Sequence, residues 1–149
     1  MAGYSGTPLT KKLNFKDGQS RLVIGLPETL TEAITGDGAA WWATSDDIPE
    51  GFNQFGRLDY IHYFVKDAAT LLEKLPDLKQ LLDPDGMIWI SWPKKAAVKL
   101  GGPKSDITED VIRRRALEIG LVDIKVCAVD EIWSGLKLVV PLALRPRRT

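Results

Sequence analysis

Four lysines, Lys94, Lys95, Lys99 and Lys104, stand in the stretch PKKAAVKLGGPKSD with no acid between the first and the last. Ammonium groups at that density suit an anion. Lys94 and Lys95 directly follow the apolar run MIWISW, and ligands of open α/β sheets sit at the carboxyl ends of strands. A small phosphate-bearing metabolite is the ligand class this pattern fits, with Trp92 beside the lysines offering a ring for stacking. A solvated polar loop has the same composition. GGPKS is not a P-loop, because Pro103 rather than glycine precedes Lys104 and the spacing fails.

Other reactive side chains are few. His62 is the only histidine, so a multi-histidine metal site is excluded and no metal is expected. It alternates with Tyr60 and Phe64 along one strand face, the setting of a packed, hydrogen-bonded histidine. No serine sits in a GxSxG elbow. Cys127, the single cysteine, lies in the apolar alternation VCAV, where a thiol behaves as a small hydrophobe. One cysteine also excludes an intrachain disulfide, which suits a reducing cytoplasm. Asp130 and Glu131 form an acidic pair between two strands, where turn chemistry accounts for them without catalysis. No catalytic set emerges from these residues.

The elements that must position them follow from periodicity. Arg21–Gly25 is a short apolar strand run, and Glu28–Thr35 a short helix ended by GDG. A second strand spans Ala40–Thr44. LDYIHYFV, Leu58–Val65, is dense in aromatic and β-branched residues and reads as a strand. Ala68, Leu71, Leu72, Leu75, Leu78, Leu81 and Leu82 mark one helical face, with an interruption expected at Pro76. DPDG then reads as a turn before the strand Met87–Trp92. A long loop leads to a helix capped by Thr108 or Asp106 and stopped by Gly120. Two closing strands, Val122–Val129 and Trp133–Val140, are near enough in sequence to pair as an antiparallel hairpin. Strand–helix repeats predict a mostly parallel sheet with helices on its faces.

The chain has 149 residues, a natural size for one domain. Residues 1–20 read as an N-terminal arm with a short helix near Pro8–Leu13, 21–141 as the α/β domain, and 142–149 as a basic tail. Twenty basic residues balance twenty acidic ones, so no net field draws in nucleic acid or membrane, and nucleic-acid binding is disfavoured. No apolar run reaches the roughly 20 residues that span a bilayer. The stretch MAGYSGTPLTKKLNF lacks the apolar middle of a secretory signal, and a cytoplasmic location is expected. Five tryptophans suit core packing or an apolar surface for a homo-oligomer.

LDYIHYFV, the helix running into LLDPDGMIWISW, and the final helix–strand–strand resemble class I S-adenosylmethionine-dependent methyltransferases. The phrases GYSGTPL, SWPKKA, DITEDVIR and VCAVDEIWSGLKLV are similar to a small bacterial family with a degenerate version of that fold. The likeness spans about residues 20–140. It implies a truncated, Rossmann-like, mostly parallel sheet closed by an antiparallel hairpin, and it brings no activity with it.

Against that resemblance, the junction RLVIGLPETL departs from the family. Cofactor-binding members follow the first strand with a glycine-rich turn, which lets the backbone approach the ligand and offers free N–H groups. Here only Gly25 is kept. Pro27 removes a donor, and Glu28 puts negative charge where a methionine carboxylate would sit. Like charges a few ångströms apart cost about 1 kcal/mol even in a water-like dielectric. Asp46 lies roughly 20 residues on, where nucleotide-binding folds place a ribose-binding acid, although SDD also suits a turn. S-adenosylmethionine is therefore disfavoured, and a binding or interaction protein is the leading expectation. A methyltransferase or other transferase with an altered pocket is the alternative.

Overall fold

The computed structural model describes residues 9–16, 19–35, 40–43 and 57–146, the stretch 40–43 as backbone only. The chain runs through α1 (Leu9–Lys12), β1 (Arg21–Ile24), α2 (Thr31–Thr35), β2 (Ala40–Ala43), β3 (Leu58–Phe64) and α3 (Ala68–Leu81). It continues through β4 (Leu82–Pro93), α4 (Glu109–Glu118), β5 (Val122–Ala128) and β6 (Trp133–Val139). 3-10 segments occupy Glu28–Leu30, Lys95–Leu100 and Leu142–Leu144. The stretch from Lys94 to Leu100 is thus wound where a loop was expected, with Ala97 buried and Gly101 closing it at φ 80°.

The six strands form one sheet in the order β2-β1-β3-β4-β6-β5. β1 pairs in parallel with β2 and β3, and β3 in parallel with β4. β6 inserts antiparallel between β4 and β5, so the closing hairpin contributes the one reversed strand. The α/β, mostly parallel class with a terminal antiparallel hairpin is what the strand–helix order implied.

Alternation along β4 divides the interior in two. Ile88, Ile90 and Trp92 join Leu71, Leu75 and Leu78 of α3 and Ile112 and Ala116 of α4 on one face. Trp89 joins Leu9, Leu13, Leu26, Leu30, Ile34, Phe64 and Trp133 on the other. Leu9 and Leu13 of the N-terminal arm are buried in this second core, and Trp89 Nε1 donates to the Leu13 carbonyl at 3.1 Å.

Pro76 does not interrupt α3, which is continuous from Ala68 to Leu81. A proline inside a helix costs about 3 kcal/mol, and each fully buried leucine gains about 1.5–3 kcal/mol over an exposed one. Leu71, Leu75 and Leu78 are each 0% exposed, so the packed face outweighs the break. DPDG is not a separate turn either, because β4 already begins at Leu82. Leu82 pairs with Leu58 and Met87 with Tyr60, so the residues between them bulge out of the ladder. Gly86 is needed there, since a Cβ would fall 2.8 Å from the Asp59 carbonyl oxygen.

The two expected caps of α4 separate into two jobs. Thr108 Oγ1 accepts from Val111 N and caps α4, whereas Asp106 Oδ1 accepts from Ala68 N at 2.8 Å and serves α3. No helix among the described residues is long and apolar enough to cross a membrane.

Candidate site at the carboxyl edge of the sheet

Three strand ends, those of β1, β3 and β4, supply the edge at which a ligand of this architecture sits. At β1 the backbone turns at Gly25 with φ 69°, a conformation that favours glycine, so the turn itself accounts for this residue. Leu26 is 6% exposed and packs into the second core. Pro27 occupies the N-cap position without an N–H, and its carbonyl accepts from Leu30 N at 3.0 Å and Thr31 Oγ1 at 3.4 Å. Glu28 is exposed at the start of the 3-10 turn. Of the turn residues Leu26 alone packs inward, and α2 beyond it spans Thr31–Thr35. Asp46 lies outside the described residues.

At β4 the lysines part company. Lys94 Nζ donates to the Asp130 carbonyl at 2.8 Å, and Lys94 N donates to Ile132 O, which ties the strand end to the β5–β6 hairpin. Lys95 is exposed. Trp92 is 6% exposed and turned into the core with Ile88 and Ile90, so it offers little face to a ligand. The Asp130 carboxylate accepts from Ile132 N and Trp133 N at 2.8 and 2.7 Å, which gives it the turn role its position suggested.

The end of β3 carries a feature that sequence reasoning missed. A solvent-open cleft of about 560 Å³ is lined by Lys66, Asp67, Pro103, Lys104, Ser105 and Asp106. Lys104 comes from the basic stretch, while Lys66 and Asp67 follow β3. The only prior signal was the polar break KD after an apolar strand. Both carboxylates are engaged: Asp67 accepts from Thr70 N and Thr70 Oγ1, and Asp106 from Ala68 N. The Thr70 hydroxyl and amide hold the Asp67 carboxyl below its ordinary pKa. Ser105 Oγ donates to the Lys66 carbonyl at 2.8 Å and braces the wall. The ammonium groups of Lys66 and Lys104 make no hydrogen bond or ion pair among the described residues, which leaves their donors for a ligand.

Behind this edge, His62 is wholly buried. Its Nε2 lies 2.6 Å from Ser91 Oγ and its Nδ1 3.4 Å from the Tyr60 hydroxyl, and its ring stacks on Phe64 at 4.2 Å. Burial pushes its pKa down to about 3, so the imidazole is neutral. A seryl oxygen bonded to a neutral histidine resembles an activated nucleophile, but Ser91 is 0% exposed and Gly135 closes over it. The pair is structural. Cys127 is half-buried and packs against the second core rather than within it, and burial raises its thiol pKa. No group of metal-ligating side chains occurs among the described residues.

No family model and no curated protein matches the sequence. Solved structures do. A magnesium protoporphyrin IX methyltransferase (ChlM) from Synechocystis PCC 6803, with bound SAH, aligns with TM-score 0.54 and 13% identity over 83% of this chain and 74% of that one. The N-methyltransferase NodS from Bradyrhizobium japonicum WM9 aligns with TM-score 0.54 and 13% identity, covering 89% of this chain and 92% of that one. An O-methyltransferase (NcsB1) from neocarzinostatin biosynthesis, in complex with S-adenosylmethionine, gives TM-score 0.56 and 12% identity over 93% of this chain. This chain spans 53% of its length. At such identities the likeness establishes the fold, that of class I S-adenosylmethionine-dependent methyltransferases, and nothing beyond it.

Proposed function

We propose that this chain is a binding protein built on the methyltransferase fold, in which the first crossover has been given over to packing. The observation that carries this reading is the turn Gly25–Glu28, where Leu26 is buried, Pro27 has no N–H and Glu28 adds a negative charge. Such a turn lacks the donors and the neutrality that an amino-acid carboxylate needs. The ligand is a small molecule with an acidic group, taken at the carboxyl edge by the ammonium groups of Lys66 and Lys104, while the carboxylates of Asp67 and Asp106 accept from donors of α3.

Native mass spectrometry of the purified chain tests this. The reading expects no adenosyl-sized adduct, and any copurified acid to be lost in Lys66→Glu/Lys104→Glu. Retention of the acid in that variant, or an adenosyl adduct in the parent, would overturn it. Lys95→Glu probes whether the basic stretch takes part. It is cleaner than Lys94→Glu, which also breaks the contact to Asp130.

The rival reading is a methyltransferase with an altered pocket. It draws on the fold neighbours solved with S-adenosylmethionine or its product in place.

A further inference from the structure

On the sheet face opposite α3 and α4, Lys125 of β5 and Lys137 of β6 stand directly opposite one another in the ladder. Like charges in that relation are destabilising, and opposite charges are the usual solution. Lys16, in the segment that follows α1, adds a third positive charge felt at Lys137. None of the three forms an ion pair among the described residues.

The cluster is held in place rather than splayed into solvent. Lys125 Nζ donates to the Lys12 carbonyl at 2.8 Å and sits 5.9 Å from the Trp89 ring centre. Lys137 Nζ donates to Asn14 Oδ1 at 3.0 Å. Asn14 is itself fixed in the left-handed region at φ 63°, with its carbonyl accepting from Gln19 Nε2. Each ammonium has three donors and spends one on a neutral oxygen, so two remain on each. Burial and the neighbouring lysines push the Lys137 pKa down, as expected of a cation lacking a counter-charge.

We propose that Lys125 and Lys137 form a second anion site, distinct from the carboxyl edge, which takes a multiply charged oxyanion of the phosphate or phosphomonoester type. A dianion there supplies a counter-charge that the described residues do not, at the point where Lys12 and Asn14 are tied to β5 and β6. A monovalent halide supplies neither the second charge nor the spread of acceptor oxygens.

The test compares inorganic phosphate and tripolyphosphate with sodium chloride at matched ionic strength, using the full chain. Phosphate is expected to raise the melting temperature saturably and tripolyphosphate to act at lower concentration. Lys125→Gln/Lys137→Gln should weaken the effect at least tenfold, including in a Lys66→Glu/Lys104→Glu background in which the carboxyl-edge cleft no longer holds an acid. Should the first variant fail to fold, amine acetylation of the unmodified chain read by mass spectrometry answers the same question. Phosphate should then protect Lys125 and Lys137 selectively. Equal responses to phosphate and chloride, unselective protection, or loss of the effect only in the Lys66/Lys104 variant would each overturn the site.

Discussion

Arg115 of α4 donates from Nε at 3.1 Å to the carbonyl of Leu72 in α3. That carbonyl is the one left without its helical partner by Pro76, which lies four residues on and has no N–H. The guanidinium replaces the missing donor and links the two helices that cover one face of the sheet.

Arg115→Met should therefore destabilise the chain by about 1–3 kcal/mol, the cost of leaving a partly buried acceptor without its charged donor. In Pro76→Ala, which restores an N–H at position 76, the same arginine substitution should cost much less. Urea unfolding of the four chains in a double-mutant cycle measures the coupling. Additive effects would show that Arg115 does not serve that carbonyl.

His62 predicts an acid-sensitive fold. Its pKa is held at about 3 in the folded chain against 6.5 ordinarily, so between those values the unfolded state binds more protons. The stability it protects is complete above pH 6.5 and falls as pH drops through that window, by at most about 1.4 kcal/mol per unit. His62→Gln should flatten this slope between pH 6.5 and 4 while lowering stability at pH 7. Urea midpoints across that range check it.

Cys127 is expected to be sluggish. Burial raises its pKa, and that effect outweighs the opposing pull of Lys125 and Lys12. A disulfide reagent at pH 8 should react with the folded chain on the order of tenfold more slowly than with the chain in urea. Equal rates would place the thiol in solvent.

How much of this was legible beforehand depends on whether a feature is local. The strand RLVI, the strand LDYIHYF and the Thr108 cap follow from residues within one turn or one strand, and the structure places them within a residue or so of expectation. Most of the misreadings involve partners distant in sequence. Pro76 was read as a break because its remedy, Arg115, lies on another helix. DPDG was read as a turn because its pairing with Leu58 is set by β3. Asp106 is one of two candidate caps for the nearer helix, yet its carboxylate accepts from Ala68 N at the start of α3. The cleft went unseen for the same reason, since Lys66 and Lys104 meet only once β3 and the segment after β4 are packed together.

The β1 turn yields a fourth expectation. Gly25 adopts φ 69°, so Gly25→Ala should cost about 1–2 kcal/mol through backbone strain alone. A similar loss with no change in any ligand's affinity is the signature of a glycine kept for the turn. Thermal unfolding with and without ligand separates the two roles.

Isothermal titration of the full chain with S-adenosylmethionine and S-adenosylhomocysteine tests the central claim most directly. Because Leu26 is buried, Pro27 has no N–H and Glu28 is exposed and negatively charged, the account predicts no saturable heat below millimolar concentration for either compound. A submillimolar dissociation constant for either one would contradict it.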